Sequence, residues 1–372
     1  MKHYLVTIVL LSAIGCGGGN SANGGGSGGG GGGASTESFD EPTAVAVNPE
    51  TNQIYVANHH SGVTVIDGVT STTFVIKDKN AYGGNAVAVN AATNRIYASN
   101  ELSDTLTVID GTTNQAIDDV PLTAAPATVT VNPVTNTIYV TNSSGAYYLS
   151  VIDGSADTAI HLAESGFGYL AAIALNSVTD TIYGARAGKH DAIALFNGPD
   201  NSITNVPIGY APSAVAVNSA TNKVYVPTLS NNVIVIDGAT NVATTVSDPQ
   251  ASMPVAVAVN SATNKIYVAN QQSNNLTVID GTTATSTTVN VGQSPGFVAV
   301  NSVANKIYVL NDASNSVTVI DGVTNATKTV NVGSQPVGLA VNEATGKVYV
   351  VNQGSANVTV IDGTTNTTTT IN

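Results

Sequence analysis

The sequence has no tryptophan, one cysteine and few charges: only 9% of its 372 residues are Asp, Glu, Lys or Arg. A single thiol excludes a disulfide within the chain, and the absence of Cys-x-x-Cys-His excludes a haem anchor of that kind. Basic side chains number eleven against 24 acidic ones, a formal net charge of −13. No basic stripe or patch stands out, and an acidic surface repels phosphate backbones over roughly a Debye length. The composition therefore argues against nucleic acid as a partner. Strong helix formers are scarce and no amphipathic helical stretch is found. Gly, Ala, Val, Thr and Asn dominate instead. Val, Thr, Ile and Tyr suit pleated strands and Asn, Gly and Asp suit the turns between them, so the expected class is all-β.

The lone cysteine, Cys16, follows a short basic start (Met1-Lys2-His3), an apolar run from Tyr4 to Leu11, and the small residues Ser12-Ala13-Ile14-Gly15. That layout is a signal peptide, too short for an ordinary membrane-spanning helix. A cysteine directly after Ala-Ile-Gly resembles the bacterial lipobox, with Ala13 where Leu is commoner. The resemblance implies cleavage after residue 15 and a lipid on Cys16 as the sole membrane attachment. The mature chain then has ten basic and 24 acidic side chains, a net of −14. Residues 16–40 read as a Gly/Ser-rich tether, with twelve glycines among residues 17–33. Such a segment buries too little apolar surface to offset its ordering entropy.

From Glu41 onward the sequence repeats. A strand ending in Asn recurs at Asn48, Asn90, Asn132, Asn176, Asn218, Asn260, Asn301 and Asn342, at steps of 42, 42, 44, 42, 42, 41 and 41 residues. The approximate repeats are 41–84, 85–126, 127–169, 170–213, 214–254, 255–296, 297–338 and 339–372. In the sixth, Val255–Asn260 reads as a small, crowded innermost strand, Lys265–Asn270 as a second and Asn275–Ile279 as a third. Asp280-Gly281 turns the chain, with Gly tolerating positive φ and Asp accepting a backbone N–H, into an alternating outer strand, Thr287–Val291. Four strands per repeat of about 42 residues predict a β-propeller. Eight blades are expected, with seven plus an irregular fourth repeat as the alternative. If each blade uses one repeat only, closure depends on packing between the first and last blades; Ser35 to Phe39 supply a possible extra edge strand.

Tyr139-Val140-Thr141-Asn142, its relatives at Tyr55, Tyr267 and Tyr349, and the Val-Ile-Asp-Gly of the third strands resemble the YVTN β-propeller repeat family, which includes YncE-like proteins. The resemblance spans residues 41–372 and implies a disc-shaped propeller in an exported or surface-exposed protein. Members usually have seven blades and diverse functions, so the resemblance implies little mechanism.

Repetition separates scaffold from site. Asp67, Asp110, Asp153, Asp237, Asp280, Asp321 and Asp362 recur in step and read as turn residues; no calcium-loop pattern accompanies them. The tyrosines Tyr55, Tyr97, Tyr139, Tyr183, Tyr225, Tyr267, Tyr308 and Tyr349 read as packing between blades, their hydroxyls partnered. A binding site needs residues that break the pattern. The fourth repeat does so most, with Arg186 in the usual Asn position and Lys189 and His190 just after it. A cationic cluster on an acidic protein suits a carboxylate or phosphate. His59 and His60 occupy the equivalent loop of the first repeat, and adjacent residues on a strand would point to opposite faces. Tyr147 and Tyr148 follow that loop in the third, while Tyr82, Tyr169 and Tyr210 lie on links between repeats. Aromatics beside a cationic loop suit a sugar, a peptide or a partner protein.

Chemistry finds less support. There is no His-x-x-x-His spacing and no G-x-S-x-G elbow, and quinone-dependent propellers bury tryptophans that this chain lacks. The expectation is a monomeric, non-catalytic scaffold of the cell envelope, without cofactor or metal, that binds an envelope or extracellular protein or glycan. It would sit at the outer membrane or cell surface, or in the periplasm. A lactonase-like metal enzyme using the central channel and a DNA-binding propeller are the alternatives.

Overall fold

The computed structural model describes residues 39–123, 125–143, 148–162, 170–186 and 191–372. They form eight four-stranded antiparallel sheets, each built from one repeat with its strands in sequence order. The sheets stand as blades around a ring, with the inner strand of each beside those of its neighbours, and that of blade 8 beside that of blade 1. The fourth repeat makes a full blade, so the count is eight. In blade 6 the strands are Pro254–Asn260, Lys265–Asn270, Asn275–Asp280 and Ser286–Asn290. The inner strand is nearly all buried and the outer one mostly half-exposed, which is why the first is Val-Ala-Val and the last is threonine-rich.

The core is divided into eight clusters, one at each junction between blades, each holding one second-strand tyrosine. All eight tyrosines are at most 1% exposed. The Tyr55 hydroxyl finds Gln53 Oε1 at 2.8 Å and that of Tyr139 finds Asp180 Oδ1 at 3.3 Å. The hydroxyls of Tyr225, Tyr267, Tyr308 and Tyr349 are buried with no protein partner, against the sequence expectation. Two residues before each of these stands a lysine, which has no lone pair to offer. Three of the four lysines instead reach the next blade: Lys265 Nζ donates to Gly322 O (3.0 Å), Lys347 Nζ to Gly68 O (2.9 Å), and Lys306 Nζ to Gly363 O. Burial holds the Tyr267 and Tyr308 phenols up at about 12. Tyr267→Phe is therefore expected to leave stability unchanged or raised, while Tyr55→Phe, which abandons a made bond, costs about 1 kcal/mol; denaturant titration of the two variants checks this.

A second element of the ring was not foreseen. The inner-strand asparagine of one blade donates through Nδ2 to the Oδ1 of a turn residue in the next: Asn48 to Asn94 at 2.7 Å, Asn90 to Asn136 at 2.8 Å, Asn132 to Asp180 at 2.5 Å and Asn176 to Asn222 at 2.8 Å. Asn218 reaches Asn264 at 2.8 Å and Asn260 reaches Asn305 at 2.9 Å. The last bond crosses the closure, from Asn342 to Asn52 at 2.8 Å. Each acceptor sits at positive φ, 49° to 54°, a conformation Asn and Asp tolerate. The seventh junction lacks the bond because Gly346 stands where its acceptor would be.

These asparagines also explain the glycines of the Asp-Gly turns, where the structure corrects the sequence reading. Gly281 is not at positive φ; Ala284, three residues on, takes it at 57°. A Cβ on Gly281 would lie 2.5 Å from Asn264 Oδ1. The glycine is needed for close approach. The aspartates are turn residues as expected: Asp280 Oδ1 accepts the N–H groups of Thr282 (2.9 Å) and Thr283 (3.1 Å). Such bonds hold the Asp67, Asp110, Asp237, Asp280, Asp321 and Asp362 carboxyls below the usual range. In Asp153 the Ser155 hydroxyl and N–H do the same. A carboxyl depressed by folding stabilises above its unfolded pKa, so stability is expected to fall as pH drops below about 4 in an acid titration followed by circular dichroism.

Closure itself rests on packing, since blade 8 draws all four strands from the last repeat. Phe39, 1% exposed, inserts between Val358, Val360 and Ile371 of blade 8 and Val45, Ile54 and Ile66 of blade 1. Of the edge strand read over Ser35 to Phe39 only Phe39 is described; Ser35 to Ser38 lie outside the described residues, as do Cys16 and the tether before Phe39.

Candidate functional site

The two faces of the ring are used differently. On the lower face lie the turns joining first to second and third to fourth strands, which hold the Asn ring and the Asp-Gly turns. On the upper face lie the links between blades and the loops joining second to third strands. Backbone bonds tie link to loop within a blade: His59 N donates to Glu41 O (3.0 Å), Glu101 N to Gly83 O (2.8 Å), Gln271 N to Met253 O (2.8 Å) and Asp312 N to Ser294 O (3.0 Å). In blades 5 to 7 a side chain on this frame repeats as well, Asn231, Asn274 and Asn315 Oδ1 accepting the N–H of Met253 (2.9 Å), Ser294 (2.8 Å) and Gln335 (3.0 Å) on the next link, whereas blades 1 and 4 depart from that pattern.

At blades 1 and 2 this frame gathers three candidate residues. His59 and His60 follow the second strand, Gln53–Asn58, in a turn, not along a strand. Their rings therefore meet edge to face, with centroids 4.7 Å apart, where the strand reading had them diverge. The Tyr82 ring lies 6.2 Å from that of His60, because Gly83 N donates to His59 O across the junction (3.0 Å). Glu41, which sequence reasoning passed over, stands 3.5 Å from His60 Nε2. The link into blade 1, the loop of blade 1 and the link into blade 2 thus present an imidazole pair, a carboxylate and an exposed phenol together.

Blade 4 differs inside as well as at its rim. In other blades the buried asparagine ending the second strand donates to a third-strand hydroxyl: Asn58 to Thr64 and Asn270 to Thr277 at 2.9 Å, Asn311 to Thr318 at 3.0 Å, Asn142 to Ser150 at 3.2 Å. In blade 4 the hydroxyl is replaced by Ala194 and the asparagine by Arg186. The guanidinium crosses the small side chain, and Nη1 donates to Asn205 Oδ1 on the fourth strand at 3.2 Å. Arg186 is only 7% exposed, so its charge stands inside the upper rim. Lys189 and His190 lie outside the described residues, as do Tyr147 and Tyr169. Tyr148 is 3% exposed and packs on Phe196 at 5.6 Å, part of the core between blades 3 and 4. Tyr210 is exposed on the link into blade 5.

Asp312 was also missed. It opens the second-to-third loop of blade 7, as His59 does in blade 1, and burial pushes its carboxyl up to about 7. A Cβ on Gly296 would fall 2.1 Å from Asp312 Oδ2, so the glycine leaves the room the carboxyl occupies. The signal was available: blades 6 and 8 carry Gln271 and Gln353 here, and blade 7 alone of the three pairs an acid with a glycine. A carboxyl raised by folding favours the native state below its unfolded pKa and disfavours it as pH climbs through the folded value. Asp312→Asn is thus expected to stabilise the protein at pH 8 by about 1–2 kcal/mol and to have no effect at pH 4, by denaturation at the two pH values. Among the described residues no three His, Cys, Asp or Glu side chains are gathered to hold a metal.

No protein-family model and no curated sequence matches this chain. Solved structures do. Hydrazine synthase of Kuenenia stuttgartiensis is 16% identical over 89% of this chain and 98% of its own, with a TM-score of 0.59. The computationally designed Ika8 protein is 14% identical over 87% and 97%, with a TM-score of 0.71. A streptogramin B lyase is 13% identical over 74% and 91%, with a TM-score of 0.58. At these identities the likeness is one of fold alone, that of a β-propeller.

Proposed function

We propose that this protein is a non-catalytic binding scaffold of the cell envelope, held by a lipid on Cys16 and akin to YVTN-type propellers. It would recognise an envelope or extracellular protein or glycan through its upper face. The observation that carries the reading is the division between faces. Lower-face turns repeat around most of the ring because they bond one blade to the next, whereas the upper-face loops keep a repeated side-chain bond only in blades 5 to 7 and diverge in blades 1 and 4. The divergent residues, His59, His60, Tyr82, Arg186 and Tyr210, all belong to that face, and Lys189 and His190 fall in the same loop class.

The test is crosslinking in intact cells followed by capture of the full-length protein. A control restores blade 4 to the pattern of the others with Arg186→Asn and Ala194→Thr, and adds Lys189→Ala and His190→Ala. It recreates an Asn–Thr bond other blades already use, so it is expected to fold. Loss of a captured partner by at least tenfold supports the reading; identical capture removes blade 4 from the site. One observation favours an enzyme as the second reading: a carboxyl with its pKa near neutrality, Asp312, on the same face, as general acid–base chemistry requires. Turnover lost on Asp312→Asn, in a screen of small lactones and esters, would support it.

A further inference from the structure

The chain joins the propeller on the upper face. Asp40 N donates to Asn58 Oδ1 (3.4 Å) and Glu41 O accepts from His59 N (3.0 Å), while Phe39 is anchored in the closing junction. Residues 17–38 give the link from Cys16 a reach of at most about 75 Å. Any anchor at Cys16 therefore pulls on the face that carries the divergent loops.

That face also exposes large apolar side chains on adjoining segments. Tyr82 and Leu102 are 54% and 58% exposed in blade 2, Tyr210 and Leu229 are 41% and 58% exposed in blade 5, and Met253 is 44% exposed on the next link. The two tyrosines hold the same place in their blades, two residues before Gly84 and Pro212. Leu102 N donates to Tyr82 O at 3.2 Å, and Leu229 N to Ala211 O at 3.0 Å, so each leucine is fixed beside its tyrosine's link. The lower face exposes valines too, Val69, Val303 and Val323 among them. There the third-to-fourth turns add carboxylates held ionised by their own turns, and Val69 and Val323 each donate an N–H to one. Exposed carboxylates stand on the upper face too, Glu41 and Asp104, so charge does not separate the faces. The choice rests on where the chain joins the propeller and on tyrosine, which suits the headgroup layer, where its ring is apolar and its hydroxyl wet.

We infer that the propeller rests with its upper face on the phospholipid surface, Tyr82, Leu102, Tyr210, Leu229 and Met253 lying at headgroup depth. The orientation rests on the lipid anchor proposed above. It narrows the partner class to molecules held at the same membrane, since the divergent loops look toward the bilayer.

The absence of tryptophan makes the test direct. Full-length protein carrying Tyr82→Trp, Tyr210→Trp or Val303→Trp is purified from cells and placed in phosphatidylethanolamine–phosphatidylglycerol vesicles containing brominated lipid. Mass spectrometry of each preparation reports the lipid on Cys16. Quenching at least threefold stronger for the first two than for Val303→Trp is expected. Equal quenching, stronger quenching at Val303, or none in a lipidated sample would overturn the orientation while leaving the anchor standing. An unmodified Cys16 would overturn the anchor, and the orientation with it.

Discussion

Tyr349→Ala is expected to destabilise the propeller by about 3–5 kcal/mol, the cost of emptying a buried aromatic site. Tyr349 lies in the cluster that joins blade 8 to blade 1, the one pair of neighbouring blades that are not consecutive in the chain. Elsewhere neighbouring blades are held together by the polypeptide even when packing loosens. Here the junction rests on Tyr349, the Phe39 insertion, the Asn342–Asn52 bond and the Lys347 bond to Gly68 O. Amide exchange should accordingly speed first in blades 1 and 8. A cost below about 1 kcal/mol would mean that the ring is closed by something other than this packing.

Gly281→Ala is the second large effect, at about 1–3 kcal/mol. A single methyl group in a surface turn would ordinarily be harmless. This one would meet Asn264 Oδ1 at 2.5 Å, and that oxygen cannot swing aside without releasing Asn218 of the preceding blade. The expected loss in a urea titration therefore includes a bond between blades. Gly338→Ala is the comparison, because nothing lies within 4 Å of a Cβ there; it should cost clearly less.

The eight blades and their strand boundaries were legible because a strand buried on both faces must be small and apolar, and because every repeat restates the pattern. In blade 6 all four strands were placed within one residue of their observed ends. What was not legible depends on contacts between repeats. Asn260 looked like a strand-end marker; its role appears only when Asn305 of the next blade is brought to its carboxamide. The glycine of Asp-Gly was credited with tolerating a positive φ that Ala284 supplies, since a sequence cannot show which residue a neighbour crowds. Tyr148 resembled an exposed loop aromatic, but it packs on Phe196 of the next blade, a contact between repeats that one repeat cannot show. Conversely, the divergence of His59, His60 and Tyr82 was visible, but their meeting across two blades with Glu41 was not.

The central claim is that the lower face builds the ring and the upper face recognises. The most direct measurement is a paired scan of single substitutions on both faces, reading folded yield and partner capture separately for each variant. The account predicts that lower-face changes such as Asn260→Ala and Gly281→Ala reduce folded yield, and capture only in proportion. Upper-face changes such as His60→Ala, Tyr82→Ala and Tyr210→Ala should leave folded yield intact and weaken capture severalfold. Upper-face variants that capture as well as the parent, or that lose folded yield as severely as the lower-face ones, would contradict it.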